Sequence, residues 1–149
     1  MTPADIIPGC IIQWDDFELA TGQKEPKIFV IVGAKPGLNY LAIRATSKKK
    51  WRDYQPSDDA DYYYIPGGKV EWFDLDTWML FSDPQEFNVT MFHKHAGEGR
   101  IRILKGSPLR YQVANEICNR MRKCVDVSEY HKSLLGPALS PPKQKIRHR

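Results

Sequence analysis

The stretch Lys27-Ile28-Phe29-Val30-Ile31-Val32-Gly33 restricts this chain more than any other. It is apolar on consecutive positions, so as a strand it buries both faces and belongs in the middle of a sheet. It is far too short to span a bilayer as a helix. Such a strand needs neighbours, and the sequence supplies them at short intervals. Gly9–Phe17 (GCIIQWDDF) precedes it across a polar loop, Glu18–Pro26. Leu38–Thr46 (LNYLAIRAT) follows the turn AKPG and alternates Leu38, Tyr40, Ala42 and Arg44 against Asn39, Leu41, Ile43 and Ala45. YYYI enters a PGGK turn, Asp76–Phe81 (DTWMLF) forms a further strand, and EFNVTMFHKH and RIRILKG flank AGEG as arms of a hairpin. Short β-prone runs at this spacing predict a mainly β sandwich or barrel.

The helical pattern comes late. Ser107 is placed as an N-cap with Pro108 at the first helical position, and Leu109, Val113, Ile117 and Met121 recur every four residues. This predicts a helix over 108–123 whose stripe packs on the β-structure. A second short helix is expected to start after Ser128 and stop at Gly136. Residues 1–135 then form one domain, and 136–149 (GPALSPPKQKIRHR) read as a disordered basic tail. No internal repeat is visible.

The net charge of +4 belongs to that tail. Removing Lys143, Lys145, Arg147 and Arg149 from the 22 Lys and Arg residues leaves 18, against 18 Asp and Glu residues. Nucleic-acid binding must therefore be read from local clusters. With 42% hydrophobic residues the chain lies outside the disordered class. The N-terminus MTPADIIPGC has neither a basic n-region nor an apolar h-region, so the expected compartment is the cytoplasm. Cys10, Cys118 and Cys124 lack a CxxC spacing, which favours inert thiols over zinc or a redox pair.

One junction stands apart. The strand ending at Thr46-Ser47 opens directly into Lys48, Lys49, Lys50, Trp51 and Arg52. Two hydroxyls, clustered cations and an aromatic ring suit a phosphodiester backbone with a stacked base. A capped turn at Thr46-Ser47, followed by a solvated loop whose lysines pair with Asp58, Asp59 and Asp61, also accounts for these residues. His93 and His95, in FHKH, are expected on one side of a strand as surface histidines, with no metal-site motif nearby. Asp15 and Asp16 read as turn acids, and Trp14, Trp72 and Trp78 as core.

PGCIIQWDDF, PKIFVIVG, LAIRATSK and IPGGKVEWFDLDTWMLF, followed by SPLRYQVANEICNRM, occur in the order found in the PemK/MazF (Kid-like) toxins of toxin–antitoxin pairs. The chain resembles that family over roughly residues 8–124. The resemblance implies a small SH3-like barrel with a C-terminal helix packed on it, and a homodimer. It also implies a cofactor-free, metal-independent endoribonuclease acting on single-stranded RNA and inhibited by a cognate antitoxin protein. Better-known members begin the second strand with a catalytic Arg-Pro pair. Here Pro26-Lys27 occupies that stretch, which keeps the charge and loses the planar fork.

Cleavage by the RNA 2′-hydroxyl requires a positioned phosphate and compensation of the charge developing on its oxygens. Thr46 and Ser47 are the candidate hydroxyl donors, Lys27 on the neighbouring strand the candidate cation, and Arg44, which shares a strand face with Thr46, the second cation. Lys48, Lys49, Lys50, Trp51 and Arg52 are the candidate RNA-binding residues. Two other readings remain: a non-enzymatic RNA- or protein-binding barrel, favoured by the missing arginine, and a gyrase-poisoning toxin, which the Pro-rich tail does not resemble.

Overall fold

A computed structural model describes residues 1–47, 61–68, 73 and 75–136. The strands are β1 (Ile11–Glu18), β2 (Lys24–Gly33), β3 (Tyr40–Thr46), β4 (Tyr62–Ile65), β5 (Thr77–Phe87) and β6 (Ile101–Ile103). The helices are α1 (Val89–Gly97), α2 (Tyr111–Lys123) and α3 (Glu129–Leu134). The six strands form one antiparallel sheet in the order β4-β5-β3-β2-β1-β6. β2 lies inside it, as its unbroken apolar run demands. The chain is mainly β, but among the described residues β4 and β6 are edges that do not pair, so the expected barrel is an open sheet.

Each face of the sheet has its own apolar cluster. Val30, Val32, Leu41, Ile43, Met79 and Phe81 point to the face covered by α2 and α3, where Ile117, Met121, Leu134 and Leu135 meet them. Phe29, Ile31, Tyr40, Ala42 and Phe87 point to the other face, where Phe92 of α1 packs. Further along that second face, Tyr62, Trp78 and Leu80 form a third, smaller cluster. Period-two alternation decides which side chain goes to which face.

Three register shifts interrupt that alternation, one of them between Ile31 and Gly33 of β2 and the other two beside the site. Between the pairs Trp14↔Lys27 and Phe17↔Glu25, β1 runs three residues against two on β2. Without this, Phe17 would face away from Trp14; with it, the two rings sit 5.5 Å apart on one face. Between Arg44↔Leu80 and Ala42↔Gln85, β5 runs five residues against two on β3. Pro84 lies in this excess, where the missing N–H leaves no ladder bond broken. β5 consequently continues six residues beyond its expected end at Phe81.

Several expectations are corrected. The segment expected as the first arm of a hairpin around AGEG is helical instead. Asn88 caps α1, its side chain accepting from Met91 N–H at 3.0 Å. Val89, Phe92 and Ala96, at three- and four-residue spacing, turn toward the second-face cluster. Tertiary packing thus overrides the β-propensity of Val, Thr and Phe. Asp15 and Asp16 are not turn acids; they form the β1 bulge, two residues standing against Pro26 alone. Helix α2 starts at Tyr111, three residues later than expected, because the Ser107 hydroxyl accepts from Ile11 N–H at 2.8 Å and is no longer a cap. Leu109 keeps its core position.

Helix α3 begins as read, with Ser128 accepting from His131 N–H at 3.0 Å, and ends at Leu134, two residues before the expected stop at Gly136. After it, Gly136 donates to Val32 O at 3.0 Å and accepts from Ala34 N–H at 2.6 Å, forming a short parallel bridge to Gly33. A Cβ at Gly33 would lie 2.1 Å from the Leu134 carbonyl oxygen, so only glycine admits this strap. Residues 137–149 of the expected tail lie outside the described residues. Cys10 and Cys118 are buried, and burial pushes both thiols up, Cys118 to about 11.

Candidate functional site

Lys27, Arg44 and Thr46 share the second face of the sheet. The β2–β3 register pairs Phe29 with Arg44 and Ile28 with Ala45, so the next pair is Lys27 with Thr46. Alternation turns Lys27, Phe29, Arg44 and Thr46 to the same side. Thr46 also lies opposite Trp78 on β5, a buried ring whose indole N–H has no hydrogen-bond partner among the described residues. Ser47 is exposed directly beyond the strand end. Lys48, Lys49, Lys50, Trp51 and Arg52 lie outside the described residues, as does Trp72.

The Lys27 side chain is 10% exposed and its ammonium is 2.6 Å from Glu25 Oε1. A half-buried carboxylate two residues back on the same strand face therefore already holds the cation proposed for a phosphate. Arg44 differs. It stands between the second-face cluster, through Phe29, and the third cluster, through Leu80. Among the described residues its guanidinium makes no hydrogen bond or ion pair.

An open cleft of about 360 Å³ explains that isolation. The β1–β2 hairpin contributes Phe17 and Glu18, β2 contributes Phe29, β3 contributes Arg44, and the β5 bulge contributes Asp83 and Gln85. Phe17 and Phe29 meet edge to face with centroids 5.0 Å apart. Phe17, Asp83 and Gln85 are site residues that the sequence pattern does not single out. Their only signals are a proline inside a β run and an aromatic three positions from Trp14, both marks of a bulge.

His93 and His95, on a helix, separate. His93 Nε2 and the Tyr40 hydroxyl are 2.7 Å apart, and burial pushes the tyrosine up and the histidine down. His95 belongs to a charged network at the β1 bulge. Arg100 donates to both oxygens of Asp16 at 3.0 and 2.9 Å and approaches His95 Nδ1 at 2.8 Å. Hydrogen bonding from Arg100 holds the Asp16 carboxyl low, and Glu98 is lowered by its bonds to His95 and Arg100. Fully paired in this way, the network ties α1, β1 and β6 together.

Among the described residues no three His, Cys, Asp or Glu side chains gather as a metal site would need. No helix among them is long and apolar enough to cross a membrane. Compared with known protein families, with curated proteins and with solved structures, the chain matches none.

Proposed function

We propose that this protein is the toxin of a toxin–antitoxin pair, an endoribonuclease cutting single-stranded RNA in the cytoplasm. The observation that carries the reading is the adjacency of Lys27 and Thr46 on one sheet face, with Ser47 next in the chain. The hydroxyls of Thr46 and Ser47 donate to the non-bridging oxygens of the scissile phosphate, and Lys27 offsets the charge that grows on them. Arg44, read from the sequence as a second cation, stands about 7 Å along β3 from Thr46 at two strand residues, so it faces the neighbouring nucleotide while Lys27 meets the phosphate. The 2′-oxygen attacks phosphorus as its proton passes to water, and the 5′-oxygen leaves with a proton, giving a 2′,3′-cyclic phosphate and a 5′-hydroxyl.

On this reading the open, bulged sheet is an opened variant of the SH3-like PemK/MazF fold that dimerises and is silenced by an antitoxin protein. Lys48, Lys49, Lys50, Trp51 and Arg52 hold the RNA beyond the cut. The Lys27–Glu25 pair favours a second reading, a barrel that binds RNA or protein without cutting, because a phosphate must compete with a carboxylate for Lys27. Incubating the purified protein with mixed-sequence RNA in EDTA separates the two. Fragments ending in cyclic phosphate support the nuclease; stable complexes without cleavage support the binding barrel.

A further inference from the structure

The cleft beside Arg44 carries an unusual set of groups. Arg44, Glu18 and Asp83 line one space, yet no ion pair joins any two of them, and none of the three side chains has a hydrogen-bond partner among the described residues. Here the hairpin and the β5 bulge hold them apart across a gap walled by Phe17 and floored by Phe29. The set carries one positive and two negative formal charges, so it disfavours a phosphate and favours a neutral, flat ligand with acceptors on one edge and donors on another.

We infer that this cleft binds a guanine base adjacent to the scissile phosphate, so that the enzyme selects guanine-containing RNA; this rests on the ribonuclease reading above. Guanine offers two neighbouring acceptors, O6 and N7, to a guanidinium fork, and this is the commonest specific contact an arginine makes with a base. Its N1–H and N2–H₂ form a donor pair that a carboxylate accepts with both oxygens, the role of Asp83 or Glu18. Adenine sets a donor beside each acceptor on its accessible edges, cytosine has the adjacent acceptors N3 and O2 but no adjacent donor pair, and uracil has a single N–H. Phe17, half-buried on the hairpin, supplies the stacking ring. The Gln85 amide offers both a donor and an acceptor at the cleft rim.

The test uses uncleavable 2′-O-methyl hexamers, all uridine or with one central guanine, adenine, cytosine or inosine, and follows binding by fluorescence anisotropy. The guanine hexamer is expected to bind about tenfold or more tighter than the others, and inosine, which lacks the N2 amino group, to lose most of that gain. In the double variant Glu18→Gln, Asp83→Asn the preference should fall below about twofold while uridine hexamers still bind, and Arg44→Gln should likewise abolish the preference. A parallel NMR titration compares guanosine 5′-monophosphate with ribose 5-phosphate on the unaltered protein; only the former should shift Phe17 and Gln85. Equal binding of all hexamers overturns guanine recognition and leaves the RNA reading standing. Shifts with the nucleotide but no hexamer bound would sink the RNA reading and keep the base pocket. Absence of both removes both.

Discussion

Gly33→Ala tests whether the C-terminal strap is held by backbone contact. Gly33 has no positive φ, so the substitution is not opposed by local conformation. The obstacle is steric: the new methyl would sit 2.1 Å from the Leu134 carbonyl oxygen and 3.0 Å from its carbon. These are backbone atoms, which no rotamer change can withdraw. One outcome is that the sheet strains to admit the methyl, at or above the upper end of the usual overpacking cost of about 1–3 kcal/mol. The other is that the strap lets go. That loses the two Gly136 hydrogen bonds, at about 0.5–1.5 kcal/mol each, and exposes Leu134 and Leu135, at about 1.5–3 kcal/mol each. The protein takes the cheaper route, so a loss of about 3 kcal/mol is expected. In urea this lowers the midpoint by about 1–3 M, for slopes of about 1–3 kcal/mol per M. Hydrogen exchange should show Ala34 and Gly136 amides losing protection before those of β2 and β3. A variant within about 0.5 kcal/mol of the parent would refute the close approach itself.

Thr46→Ala should still fold and slow single-turnover RNA cleavage a hundredfold or more, the usual cost of one lost transition-state donor, about 2.7–4 kcal/mol; parental rates would reduce the hydroxyl to a turn cap. Glu25→Gln removes the carboxylate beside Lys27 and should tighten RNA binding and steepen its log–log salt slope by about one unit, whereas an unchanged slope would mean that Lys27 does not reach the backbone. Stability should rise with pH on both sides of pH 5. Asp16, Glu98 and Glu86 have lowered carboxyl pKa values, so their contribution is full above the ordinary carboxylate range and fades as pH falls through it. His93, also lowered, favours the neutral folded state and adds a loss as pH falls below the usual histidine value near 6.5. A thermal midpoint at pH 5 equal to that at pH 7 would contradict the histidine part.

How much of the fold is legible in the sequence follows from which forces act locally. β2 and β3 can be read because burial on two faces, or on alternate faces, writes its period directly into the residues. The parity of β3 likewise puts Arg44 and Thr46 on one face by residue order alone. Ser128 announces α3 because its hydroxyl does the capping itself. Ser107 carries the same signal, but its hydroxyl turns to Ile11, almost a hundred residues earlier in the chain, a competition that local pattern cannot report. Helix α1 escapes the pattern because Val89, Thr90 and Phe92 favour strand, and only packing on Trp14 and Phe87 makes them helical. The cleft is invisible in the residue order because two register defects make it. Each adds residues to one strand, and its product depends on what lies opposite.

The bridge between Gly33 and Gly136 has a consequence for how the chain is made. It joins positions roughly a hundred residues apart, so its loop-closure cost is met late, after the hairpins of β1 to β3 have formed locally. On the ribosome, β2 and β3 therefore emerge with Val32, Leu41 and Ile43 bare on one side and wait for residues 134–136 to be translated before that side is sealed. At about 5–20 residues per second the wait lasts several seconds. For that interval the nascent sheet is a substrate for chaperones, and the strap acts as the latch that ends their access.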